Sequence, residues 1–262
     1  MWTKRAAPLL AMMVAAILAE GCKERAAGVT ESQPEVQQQW AVVRRNAHGW
    51  TLHTLNTHAA DLRVDDLDTT AVPSVEPDDA ALVVHGTLRD AVFEVDAAFR
   101  GVPGAMWSQD DVFVQLKDTV ATQLNLDAST EVPALDLSRV ESDWLDHAWL
   151  ENRVHARGAV LAGQFIGEPG GRGVLGFQAN EVFVPLPDRA RECPRAARFC
   201  PRGMVRAYRR DVDRCLVPDG CVEAANCASE PPACPSGFVL RTWRSAPHGC
   251  REYVCDPSFL RD

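Results

Sequence analysis

The chain has 262 residues, 46% hydrophobic and 24% charged, with a formal net charge of −9. That balance argues against nucleic-acid binding carried by bulk electrostatics. The sign is uneven: from Asp188 onward there are 13 Arg, no Lys and 10 acidic residues, a surplus of +3, so the preceding residues carry −12.

The first segment reads as an export signal. Lys4 and Arg5 form a short basic region, and the stretch from Ala6 to Ala19 carries no charge. That stretch is too short for a membrane span, which needs about 20 residues, but fits the apolar part of a signal peptide. Ala19 and Gly21 then lead into Cys22. The segment resembles a bacterial lipoprotein signal, which implies cleavage before Cys22, a diacylglycerol on its thiol and partnership with a membrane. "Ala-Glu-Gly" also reads as an ordinary small-x-small cleavage site, and either cut falls after Gly21. Cysteine parity favours the lipid. Nine Cys is an odd number; removing Cys22 leaves eight, all between Cys193 and Cys255.

Residues 22–39 are polar and Gln-rich and read as a flexible tether. Residues 40–79 read as a short β segment and linker. "WAVVRRNAHGWTLHTLN" suggests a hairpin turning between Asn46 and Gly49, and Pro73 and Pro77 block regular structure after it. His48, His53 and His58 lie five apart, which matches neither helix nor strand spacing for a shared metal. Asp61, Asp65, Asp66 and Asp68 lack the order of a calcium loop and read as a solvated face.

Residues 80–187 carry most of the strand signal. "VVHGTL", "DVFVQLKD", "NRVHARGAV" and "LGFQANEVFVPL" resemble the strands of an OB-fold. The resemblance implies a five-stranded barrel with a helix between its third and fourth strands. Another small barrel or sandwich is the alternative. "VH" at Val84 and Val154, and "VFV" at Val112 and Val182, recur at one common offset, so a duplicated hairpin is a further option. The helix is expected over "SRVESDWLDHAWLEN", with Ser138 and Glu141 as a capping box and Val140, Trp144, Leu145, Ala148 and Trp149 as its stripe. Trp107, Trp144 and Trp149 are candidate core anchors. If residues 153–157 form a strand, Arg153, His155 and Arg157 share one face. That face is the candidate ligand site, for an anionic sugar, phosphate or carboxylate.

Residues 188–262 hold two sets of four cysteines. Cys193, Cys200, Cys215 and Cys221 align with Cys227, Cys234, Cys250 and Cys255. Pro201 and Gly203 align with Pro235 and Gly237, at a period of 34. This is an internal duplication of two cross-linked repeats. The C-x-x-C pairs of zinc and thioredoxin-like sites are absent. Structural disulfides are therefore expected, two within each repeat and none between them.

The expected fold is mainly β: a small OB-like barrel with one helix, then a disulfide-rich duplicated module. No nucleophile elbow, phosphate loop or zinc-protease signature occurs, and no motif calls for a cofactor. The functional expectation is a lipid-anchored cell-envelope protein that binds or scaffolds an anionic envelope component or protein. An envelope hydrolase or protease inhibitor is the alternative.

Overall fold

The computed structural model describes residues 38–260 apart from 47–48, 73–74, 76–81, 105, 127, 141, 157, 168–172, 189–191, 194–198 and 228–229. The signal segment, Cys22, most of the tether, His48, Pro73, Pro77, Glu141 and Arg157 lie outside the described residues. The fold is mainly β, with one helix among the described residues and a disulfide-rich C-terminal module, as the sequence implied.

Twelve strands form one sheet, assembled from two copies of a six-strand unit. In the first copy β1 (Gln38–Asn46) pairs with β2 (Gly49–Thr54), and β2 with β3 (Leu62–Val64). Strand β5 (Leu82–Arg89) pairs with β1 and with β6 (Val92–Gly101), and β4 (Asp66–Asp68) joins β6 in parallel. The second copy repeats every pairing. Here β7 (Val112–Lys117) pairs with β8 (Val120–Gln123), and β8 with β9 (Ser129–Glu131). Strand β11 (Val160–Gly167) pairs with β7 and with β12 (Val174–Leu186), and β10 (Leu135–Asp136) joins β12 in parallel.

The copies meet through antiparallel pairing of β6 with β12. Phe183 lies opposite Gly101, Val184 opposite Arg100, and Pro185 opposite Phe99. Phe99 and Phe183 are equivalent positions, so the pairing maps onto itself about Arg100 and Val184: a local pseudo-twofold relation. The sequence division at residue 80 is therefore absent, because β1 and β5 are neighbours in one sheet. The sheet also exceeds the five strands that the OB resemblance implies. The recurring "VH" and "VFV" pairs do not mark the structural repeat. Val84 corresponds to Leu161 rather than Val154, since Val84 and Leu161 lie opposite Ala41 and Val114 in matching pairings.

Local chemistry is duplicated with the topology. Each long hairpin has a bulge next to a glycine, Gly86 in one and Gly163 in the other. A Cβ at either would run into the carbonyl oxygen of Glu94 or Gln178, so only glycine fits. Asp68 accepts the amide of Thr70, and Asp136 that of Ser138, closing equivalent turns. Burial follows the same division. Val43, Val64 and Phe93 fill one core, and Leu116, Val132 and Phe177 the other. Between them Val42, Leu55, Val83 and Phe99 meet Phe113, Leu124, Val160 and Phe183.

The helix α1 (His147–Ala156) begins well after the expected Ser138 cap. Asp146 accepts the Trp149 amide at 3.0 Å and acts as the cap. Its buried face is Trp149, Leu150, Arg153 and Val154, at helical spacing. Gly158, at φ 67°, stands just past its end. Trp149 is fully buried, whereas Trp144 is 45% exposed.

Two hairpins form the C-terminal module: β13 (Met204–Arg210) with β14 (Leu216–Glu223), and β15 (Phe238–Ser245) with β16 (Cys250–Pro257). Disulfides join Cys193 to Cys215 and Cys200 to Cys221 in the first repeat. Cys227 joins Cys250 and Cys234 joins Cys255 in the second. These four bonds use all eight cysteines of the module, and none crosses between repeats. Leu260, Phe238 and Phe259 join the core of the second copy, and the Cys255 amide donates to the Trp144 carbonyl at 2.7 Å.

Candidate functional site: an arginine-lined cavity

The face expected from Arg153, His155 and Arg157 does not form. Residues 153–156 are helical rather than extended, and alternate residues of a helix point about 200° apart. The apolar partners Leu150 and Val154 set the helical period and carry Arg153 inward. Arg153 is 1% exposed, His155 is exposed, and Arg157 lies outside the described residues.

Arg153 instead belongs to a buried ionic network that docks the C-terminal module. Its Nε donates to Asp188, just after β12, and its Nη2 lies 3.5 Å from Asp213. The Trp149 indole N–H also donates to Asp188, at 3.1 Å. Arg214 Nε lies 3.6 Å from Asp188, and its Nη1 is 3.7 Å from Asp256. Arg210 Nη2 donates to both oxygens of Asp256, at 2.6 and 2.8 Å, while its Nε meets Asp146 at 3.0 Å. Arg241 Nε lies 3.8 Å from Asp256. Four arginines thus face four aspartates, and Asp146 caps α1 with one oxygen while holding β13 with the other. Such pairs contribute orientation more than net stability, because desolvating the charges offsets their attraction. Burial pushes the Arg214 guanidinium below the usual arginine range, against the opposing pull of Asp188 and Asp256.

One side of the network opens into a cavity of about 290 Å³. Arg210, Arg214 and Arg241 line it with Asp256, Trp243, Leu216 and Thr242. Arg210 sits 5.6 Å from the centre of the Trp243 ring. Covalent staples fix both flanks. Arg214 and Leu216 bracket Cys215, and Asp256 follows Cys255. The lining itself carries three cations and one anion. Its chemistry is that of an anion site with an apolar wall, and a metal would find one carboxylate among three guanidinium groups. The Arg surplus after Asp188 was the one sequence signal for it. Its members come from several hairpin strands and a turn, so no linear motif announces them.

A second polar group lies in the sheet. Glu181 on β12 is 9% exposed, and its Oε2 accepts the Trp107 amide at 3.0 Å. A Cβ at Gly101 would collide with this carboxylate. Asp111 accepts the Ser108 amide and the Asn180 side-chain amide, each at 2.8 Å. Burial raises Glu181 to about 7, with a smaller push from Asp111, against the lowering effect of the Trp107 N–H. Both carboxylates hold the loop between β6 and β7. The counterpart of Glu181 in the first copy is Ala97, so that copy offered no guide to it.

Several of the remaining sequence candidates have local partners. His53 Nδ1 is 2.8 Å from Asp61, and Asp66 accepts its neighbour's amide at Leu67. Trp107 packs edge-on against Phe113 beneath the Arg44 guanidinium. No family model, curated protein or solved structure matches this chain.

Proposed function

We propose that the chain is a non-enzymatic binding module of the bacterial cell envelope, lipid-anchored through Cys22, with the arginine-lined cavity as its ligand site. The observation that carries the reading is three arginines and a tryptophan converging between two stapled hairpins. Four disulfides suit an oxidising, extracytoplasmic compartment. The basic bias of the C-terminal third matches an anionic envelope component as partner.

Two experiments test the two halves of the proposal. Cells fed an alkyne fatty acid should label the wild type in the membrane fraction, and Cys22→Ser should abolish the label and release the protein. An unlabelled, soluble wild type refutes the anchor and leaves secretion alone. Detergent-solubilised full chain should retain anionic envelope fractions at low salt and release them as salt rises. Retention unaltered by Arg241→Gln refutes the cavity as the site.

A further inference from the structure

We propose that the cavity takes an organic carboxylate with an aromatic or branched apolar flank, in preference to a bare inorganic anion. This deepens, and rests on, the reading of the cavity as the ligand site.

Charge sets the first limit. Among the described residues, the four arginines of the network face Asp146, Asp188, Asp213 and Asp256. The cavity wall is locally cationic, but buried carboxylates stand directly behind it. A monoanion meets the guanidinium groups without overloading the buried carboxylates. A dianionic phosphate brings a second negative charge close to Asp256, which is 4% exposed.

Geometry sets the second. Asp256 already shows the mode of binding, with both oxygens on Arg210 Nη2. There it meets a single nitrogen, and a planar guanidinium offers an incoming planar carboxylate the fuller two-nitrogen fork. Arg241, at 34% side-chain exposure, is the cavity arginine most open to an incoming group.

Size and polarity set the third. A volume of about 290 Å³ is roughly ten times a single water's share of the liquid. A compact anion alone leaves much of it to solvent. Leu216 and the Trp243 ring supply apolar wall for the remainder. A carboxylate beside a hydrophobic group uses both surfaces. A free aromatic acid and the C-terminal residue of a peptide share that chemistry.

The test is calorimetric titration of detergent-solubilised full chain with phenylacetate, N-acetylphenylalanine, acetate and inorganic phosphate. Phenylacetate or N-acetylphenylalanine should bind at least tenfold more tightly than acetate or phosphate. The tighter of the two distinguishes a free acid from a peptide terminus. Arg241→Gln and Trp243→Leu should each weaken binding at least fivefold, with thermal midpoints within a few degrees of wild type. Phosphate binding as tightly as the aromatic acids, and weakened by Arg241→Gln, overturns the ligand class while the cavity reading stands. Binding indifferent to Arg241→Gln overturns the cavity itself. No binding of any of the four overturns the proposal.

Discussion

Asn56 and Asn125 each hold the backbone of the other's half of the sheet. Asn56 donates to the carbonyls of Phe113 and Leu124 at 2.7 and 2.9 Å and accepts the Phe113 amide at 2.8 Å. Asn125 donates to Trp40 and Leu55 at 2.7 and 3.0 Å and accepts the Trp40 amide at 2.7 Å. Both have positive φ, 54° and 62°, which asparagine tolerates better than most residues. The reciprocal pair locks two six-strand copies into one body, and that body carries the C-terminal module.

Asn56→Ala and Asn125→Ala should therefore each destabilise the protein by about 2–4 kcal/mol. Three hydrogen bonds are lost in each case, backbone groups stay buried, and Ala at positive φ adds strain. Glycine relieves only the strain and should cost about 1 kcal/mol less than alanine. Urea unfolding measures all four variants. Losses under about 0.5 kcal/mol, the ordinary range of a surface substitution, would mean that the clamps contribute little.

Asp256 is shared by Arg210, Arg214 and Arg241. Asp256→Ala leaves buried guanidinium groups without their common carboxylate. It should cost about 3–5 kcal/mol. The loss should appear first in the C-terminal module, as faster amide exchange in β13 and β16. A near-neutral result would show the network to be replaceable.

Glu181 gives a pH signature. Its carboxyl is raised from 4.5 to about 7 in the folded protein, so the folded state holds the proton more tightly than the unfolded chain. Its contribution is therefore most favourable below about pH 4.5 and is lost as pH rises through 7. Glu181→Gln keeps an acceptor for the Trp107 amide and removes the titration. The variant should gain on the wild type between pH 4.5 and 7, reaching about 3 kcal/mol near pH 8. Parallel stability curves for the two proteins would contradict this account.

Much of the C-terminal module was legible in the sequence. Covalent cross-links demand a fixed spacing within each copy, so the period of 34 survives. The sheet duplication was hidden because its offset drifts along the chain. The step from Leu67 to Leu135 nearly equals that from Asn56 to Asn125, but Gly86 to Gly163 is longer and Phe93 to Phe177 longer still. Helix α1 and unequal loops account for the drift. Identity survives at positions with strict backbone demands, such as the αL asparagines and the bulge glycines, and at a few core positions, such as Phe93 with Phe177. Arg153 shares a face with His155 only at strand spacing, whereas the apolar residues Trp149, Leu150 and Val154 around it follow helical spacing. The cavity was least legible, since Arg210, Arg241 and Asp256 meet only after each hairpin closes and the two hairpins dock.

Removing the Cys234–Cys255 bond by double substitution to serine should cost about 2–4 kcal/mol. Cys255 precedes Asp256, so anion binding should weaken as well. The Cys200–Cys221 double variant should lose comparable stability, with less effect on binding, since neither cysteine adjoins a cavity residue. Equal effects on binding from both pairs would remove the local coupling.

The most direct measurement of the central claim is the NMR response of the arginine Nε–H signals when N-acetylphenylalanine is added to the intact protein. Arg210, Arg214 and Arg241 line the cavity, whereas Arg153 is buried behind it. Binding in the cavity should shift Arg241 most, then Arg210 and Arg214, with Arg153 nearly unmoved. Saturable binding that leaves the three cavity arginines unshifted, or moves only arginines elsewhere, would contradict the assignment of this cavity as the ligand site.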